Sequence, residues 1–119
     1  MKRLLVAVVS LLLLMSPAFG HSSVVRSEPK NGETLKVAPR EIRIWFSEPI
    51  KVGLSTFAVC NAAGKQIDQR DLRADEKEPA LLRLTLPVVL TPGVYKAKWT
   101  AVAEDLHVTK GEFSFRIAP

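Results

Sequence analysis

The chain has 119 residues, with 17 Lys and Arg against 12 Asp and Glu, for a formal net charge of +5. That length fits a single domain. It holds one Cys, two His and two Met, and a lone Cys excludes both an internal disulfide framework and a multi-Cys zinc site.

Residues 1–20 read differently from the rest. Met1-Lys2-Arg3 leads into an apolar run from Leu4 to Met15, broken only by Ser10, and then into Ser16-Pro17-Ala18-Phe19-Gly20. A basic start, a short apolar core and small residues at the −3 and −1 positions predict a secretory signal peptide cleaved after Gly20. The run is short of the roughly 20 apolar residues that span a bilayer. Cleavage would leave residues 21–119 as one mature domain, with 15 basic and 12 acidic residues. The remaining basic residues are scattered and form no patch interleaved with aromatics, so nucleic acid is not an expected partner. Cleavage also removes Met1 and Met15, keeps both histidines, and makes His21 the new N-terminus.

The mature segment has hydropathy of period two. Ile42, Ile44 and Phe46 alternate with Arg43 and Trp45, and Phe57 and Val59 with Ala58 and Cys60. Leu82, Leu84 and Leu86 alternate with Arg83 and Thr85. Tyr95, Ala97, Trp99 and Ala101 alternate with Lys96, Lys98 and Thr100. Phe113, Phe115 and Ile117 alternate with Glu112, Ser114 and Arg116. One apolar face per strand predicts antiparallel sheets packed face to face. Pro29-Lys30-Asn31-Gly32, Ala38-Pro39, Asn61-Ala62-Ala63-Gly64 and Thr91-Pro92-Gly93 punctuate the runs as turns. The prediction is an all-β, seven-stranded Greek-key sandwich or barrel of immunoglobulin size, with a cupredoxin-like strand order as a variant. The least regular stretch, Asp68 to Pro79, reads as a solvated connection. Its carboxylates lack the spacing of a calcium loop.

Chemistry concentrates on few residues. A free N-terminal His21 offers its α-amino group and its ring nitrogen to one metal, closing a chelate. With pKa values of about 8 and 6.5, both groups lose their protons near neutral pH. Such nitrogen donors in a tetragonal plane suit Cu(II). Asp105 and His107, two apart, fall on one side of an extended segment, where a carboxylate and an imidazole can meet the same ion. Taken alone, His107 reads first as a loop histidine hydrogen-bonded to Asp105, and only the conjunction with His21 favours a ligand. Glu48, in Phe46-Ser47-Glu48-Pro49, is expected at a strand end, either as a turn residue or as a carboxylate beside the metal. Cys60 has no His or Cys nearby in sequence and reads as a packing residue or a free thiol. No Gly-x-Ser-x-Gly, His-Glu-x-x-His or phosphate-loop pattern is present, which leaves little for catalysis.

These residues resemble the CopC-type periplasmic copper-binding proteins along nearly the whole mature chain. The resemblance runs in order through His21 and Ser27-Glu28-Pro29 with Asn31-Gly32-Glu33. It continues through Ala38-Pro39 leading to Ile42-x-Ile44-x-Phe46-Ser47-Glu48-Pro49, then Pro92-Gly93-Val94-Tyr95, Trp99, Asp105-x-His107 and Gly111-x-Phe113-x-Phe115. It implies a periplasmic, monomeric, non-enzymatic protein for copper sequestration, resistance or delivery. One Cu(II) would be held by His21, Asp105 and His107, with Glu48 in the surrounding shell, and an inner-membrane copper-transport protein would be the partner. The methionine-rich Cu(I) segment of some members has no counterpart here. Leu106 and Val108 stand where the family usually has Gly and Pro. If that glycine serves a positive φ, Leu106 must take a strained conformation and the two ligands would be displaced; if the segment is extended, Leu106 points away from the ion. Two other classes compete with this reading: a copper-dependent oxidative enzyme built on the same histidine chelate, and a metal-free envelope interaction domain.

Overall fold

The structure, a computed structural model, describes residues 23–119. Eight strands among them make two four-stranded sheets. One has the order β1 (Val24–Glu28), β3 (Glu41–Phe46), β6 (Leu81–Thr85), β5 (Arg73–Ala74). The other runs β2 (Glu33–Leu35), β8 (Val108–Ile117), β7 (Gly93–Val102), β4 (Thr56–Cys60). The expected sandwich is present.

The alternating residues explain the layers. Ile42, Ile44 and Phe46 of β3, and Leu82 and Leu84 of β6 with Leu86 just beyond it, turn inward. They meet Val59, Tyr95, Ala97, Ala101, Phe113, Phe115 and Ile117 from the other sheet in one buried cluster. Burying each large member contributes roughly 1.5–3 kcal/mol. The opposite phase faces out: Trp45 lies on the outer surface, with the Arg26 guanidinium 3.8 Å from its ring centre. Trp99 points inward and stacks on Phe57 with centroids 5.8 Å apart. It can do so because its cross-strand neighbour is Gly111, where a Cβ would fall 2.4 Å from the indole.

Three details depart from expectation. First, β2 pairs with β8 in parallel, although the pattern predicts antiparallel pairing throughout. The Asn31-Gly32 turn explains it. Asn31 Oδ1 accepts the Ser114 N–H, and the Gly32 N–H donates to the Ser114 carbonyl. The chain is thus pinned to β8 before β2 begins and then runs alongside it. Second, the Asp68–Pro79 connection contains β5, so the strand count rises from seven to eight. Third, Asp68 in that segment is buried rather than solvated. Its carboxylate accepts hydrogen bonds from the Val59 and Arg70 N–H groups and the Gln66 amide.

Strand direction divides the molecule into two ends. β3 and β7 finish, and β8 starts, at the end that carries Phe46–Ile50 and the Val102–Val108 hairpin; Val24, which opens β1, pairs with Phe46 there. The 86–92 connection and the segment before β3 lie at the other end, joined by the Leu86 N–H donating to the Arg40 carbonyl.

Candidate metal centre

Two long strands, β7 and β8, converge on a tight hairpin. Val102 pairs with Val108, the Ala103 N–H donates to the His107 carbonyl, and the Leu106 N–H returns to the Ala103 carbonyl. The loop is therefore the three residues Glu104, Asp105 and Leu106. Hairpins of this length usually end on a residue with positive φ, most often glycine. Leu106 takes that role, with φ of 69°. Of the two alternatives for this position, the left-handed one is correct. Leu106 is also 63 % exposed, so its side chain packs little against the core.

The left-handed turn brings its neighbours together rather than displacing them. Asp105 Oδ2 lies 2.9 Å from His107 Nδ1, and Asp105 Oδ1 accepts the His107 main-chain N–H at 3.1 Å. A carboxylate oxygen and an imidazole nitrogen at this separation can share a proton between them, or can both turn their lone pairs to one ion in that proton's place. Side-chain exposures of 58 % for His107 and 39 % for Asp105 leave the pair at the surface.

The segment after β3 packs against this hairpin. Ile50 bridges to Ala103, the Lys51 N–H donates to the Val102 carbonyl, and the Glu104 N–H donates to the Pro49 carbonyl. Half-buried Glu48 lies in this segment, two residues past the end of β3. An exposed ion pair between Lys51 and Glu104, 3.9 Å apart, adds little stability. Ser47 is tied to Ser23 at this end: its main-chain N–H donates to the Ser23 carbonyl, and its Oγ accepts the Ser23 N–H. Nothing local in the sequence signals this contact, because it joins residues 24 apart.

His21, the expected source of two donors, lies outside the described residues, as does the predicted cleavage point after Gly20. Among the described residues, no group of three His, Cys, Asp or Glu side chains is placed to hold a metal. The hairpin supplies two such side chains, Asp105 and His107. Cys60 is half-buried and lies on β4, opposite Lys96 of β7, remote from the hairpin in the sheet register. A groove of about 770 Å³ is lined in part by Phe57, Leu72, Leu84, Trp99 and Gly111 and includes neither Asp105 nor His107. The candidate centre is an exposed hairpin end, suited to an ion.

Residues 24–118 match the model of the CopC domain. The chain belongs to the CopC family. It is 31% identical over 107 residues to the copper transport protein CutJ of Bacillus subtilis, a match that covers 90% of this chain and 20% of that protein; the chain spans about one fifth of that relative. It is 25% identical over 115 residues to protein YobA of Escherichia coli, covering 97% of this chain and 93% of that protein. Two solved structures share the fold. CopC from Methylosinus trichosporium has a TM-score of 0.76 and 22% identity, covering 83% of this chain and 95% of that one. PcoC, a methionine-rich copper resistance protein from Escherichia coli, has a TM-score of 0.71 and 21% identity, covering 82% and 98%.

Proposed function

We propose that this CopC-family chain is exported, cleaved after Gly20, and carries one Cu(II) per mature chain as cargo in the periplasm. The ion is held by the His21 α-amino group and ring, the Asp105 carboxylate and the His107 ring. Glu48 stands beside it as a nearby carboxylate. The protein sequesters the ion or hands it to an inner-membrane copper-transport protein, acts as a monomer, and performs no turnover. With Met1 and Met15 removed with the leader, no methionine-rich Cu(I) site exists.

The observation that carries this reading is the Asp105–His107 pair, held at 2.9 Å by the hairpin. Both residues precede β8, at the same end of the sandwich as the Ser23–Ser47 contact. Donor chemistry supports the oxidation state: an amine and two imidazoles favour Cu(II) over softer-site metals. The exposed setting also fits a binding protein, since an oxidative enzyme needs a broad substrate face around the ion.

The test is Cu(II) added to the chain that starts at His21, followed by EPR. A nitrogen-rich type 2 spectrum at one equivalent is expected, and His107→Ala should weaken binding by at least about tenfold. A variant that binds like its parent would favour the metal-free interaction domain.

A further inference from the structure

We propose that the open stretch of β4, residues 56–58, is a docking edge for an extended acidic peptide segment of another protein, which adds to the sheet as a further strand. The inference is independent of the copper reading, because no residue of the Asp105–His107 hairpin takes part.

β4 is an edge strand, laddered only to β7. The chain that follows it covers its C-terminal half. Cys60 bridges to Gln66, the Ile67 N–H donates to the Val59 carbonyl, and the Val59 N–H donates to Asp68. Both main-chain groups of Val59 therefore point away from β7. Main-chain direction alternates along an antiparallel strand, so the N–H and carbonyl of Phe57 point away from β7 as well. The cover stops short of them. The connection passes through Arg70, with φ of 58°, and its strand β5 pairs with β6 instead. Before β4, the Ser55 N–H already donates to the Val52 carbonyl. Among the described residues nothing pairs with the outer side of Phe57, so one donor and one acceptor stand open at the edge. Open groups of this kind template the addition of a strand.

The space beside this edge is the groove of about 770 Å³, with Phe57, Trp99, Leu72 and Leu84 as its apolar wall. A residue added opposite Phe57 shares its face and can lay an apolar side chain against that wall. The residues on either side of it face the other way, with Thr56 and Ala58. Both of these are small, and Lys98 is the β7 neighbour of Ala58. Charge then selects the flanks. Exposed Arg70, Lys98 and Lys110 border the groove against one carboxylate, Glu112. The matching segment reads carboxylate, apolar, carboxylate. A second copy of this chain offers only Thr56, Phe57 and Ala58 at its own open edge, and so brings no carboxylate to these cations.

The test titrates the metal-free protein with the capped peptide Thr-Glu-Val-Glu-Thr and follows it by NMR and amide exchange. The Phe57 amide and the Trp99 indole N–H should shift together, with a dissociation constant of about 1 mM or tighter. The Phe57 amide should also exchange more slowly in the complex. Two control peptides, one with Lys for both Glu and one N-methylated at its Val, should each bind at least about tenfold more weakly. Arg70→Asn combined with Lys98→Gln should weaken the acidic peptide by about tenfold. Both side chains are exposed, and unchanged core amides would show that the fold is kept. No shift at Phe57, or equal binding of either control peptide, would overturn the proposal. So would protection of the Phe57 amide that grows with protein concentration in the absence of peptide, because a second copy would then occupy the edge.

Discussion

At the scale of single residues, the Asp105-Leu106-His107 turn carries most of the argument. The spacing of Asp105 and His107 suggested a shared side, and the two side chains do meet. The route differs from a simple extended segment, because Leu106 turns the backbone through positive φ. Sequence alone left two conformations open, since leucine neither requires the left-handed region nor signals it. The hairpin decides, because the Ala103 N–H bond to the His107 carbonyl, next to the Val102–Val108 pair, leaves only three residues to turn the chain. That geometry has a cost. A non-glycine residue in the left-handed region gives up about 1–2 kcal/mol, and Leu106 recovers little by packing because it is 63 % exposed. Leu106→Gly should therefore stabilise the protein by roughly 0.5–1 kcal/mol, after allowing for the greater freedom glycine has when unfolded. A chemical-denaturation midpoint reads this directly, and an equal or lower midpoint in the variant would contradict it. Glu48 illustrates the opposite case: its strand-end position was legible from Phe46-Ser47-Glu48-Pro49. The Ser23–Ser47 contact was not legible, because a hydrogen bond across 24 residues leaves no local pattern.

At the scale of elements, strands with clean alternation were legible and the two shortest were not. β3, β7 and β8 each carry three or more inward apolar residues, and β6 carries two with Leu86 continuing the alternation just beyond it, so their faces follow from spacing. β2 and β5 have three and two residues, too few for a period, and polar contacts hold them. β5 in particular is tied to β6 by charge. Arg83 Nε lies 2.9 Å from Asp75, Asp71 accepts both the Thr85 N–H and hydroxyl, and Arg73 reaches Asp71 and Glu41. Glu41 also contacts Arg83 and Arg43. The Arg83 hydrogen bond, aided by the Lys77 and Glu78 N–H groups, holds the Asp75 carboxyl below its ordinary value of 3.8. For Asp71, burial pushes upward, but the Thr85 hydrogen bonds and the Arg73 charge outweigh it, and its carboxyl is lowered too. A carboxyl lowered in the folded state adds stability that is complete above its unfolded pKa and is lost as pH falls through the lower folded value. The melting temperature should thus fall on acidification below about pH 4. Asp75→Asn, which cannot ionise, should flatten that decline. A melting curve series from about pH 5 to pH 2 checks it, and parallel declines in parent and variant would refute the role of Asp75.

At the scale of the whole molecule, the sandwich works as a rigid support with different ends. The core cluster of Ile42, Ile44, Val59, Leu82 and Phe115 fixes β3 against β7 and β8. That in turn fixes where the Phe46–Ile50 segment meets the Val102–Val108 hairpin. The all-β class was readable because burial on one face forces period two, and CopC-family membership agrees with it. Of the candidate centre, the Asp105–His107 contact was readable from spacing, while the turn that forms it was not, because leucine does not signal positive φ. The account's central claim is about His21 as a free N-terminus. Its most direct test is a Cu(II) titration of two chains: one beginning at His21, and one with a single extra residue ahead of it. The account predicts tight, one-to-one Cu(II) binding by the first, and a loss on the order of 100-fold in the second, where the amine–imidazole chelate is broken. Equal affinity in the two chains would contradict it.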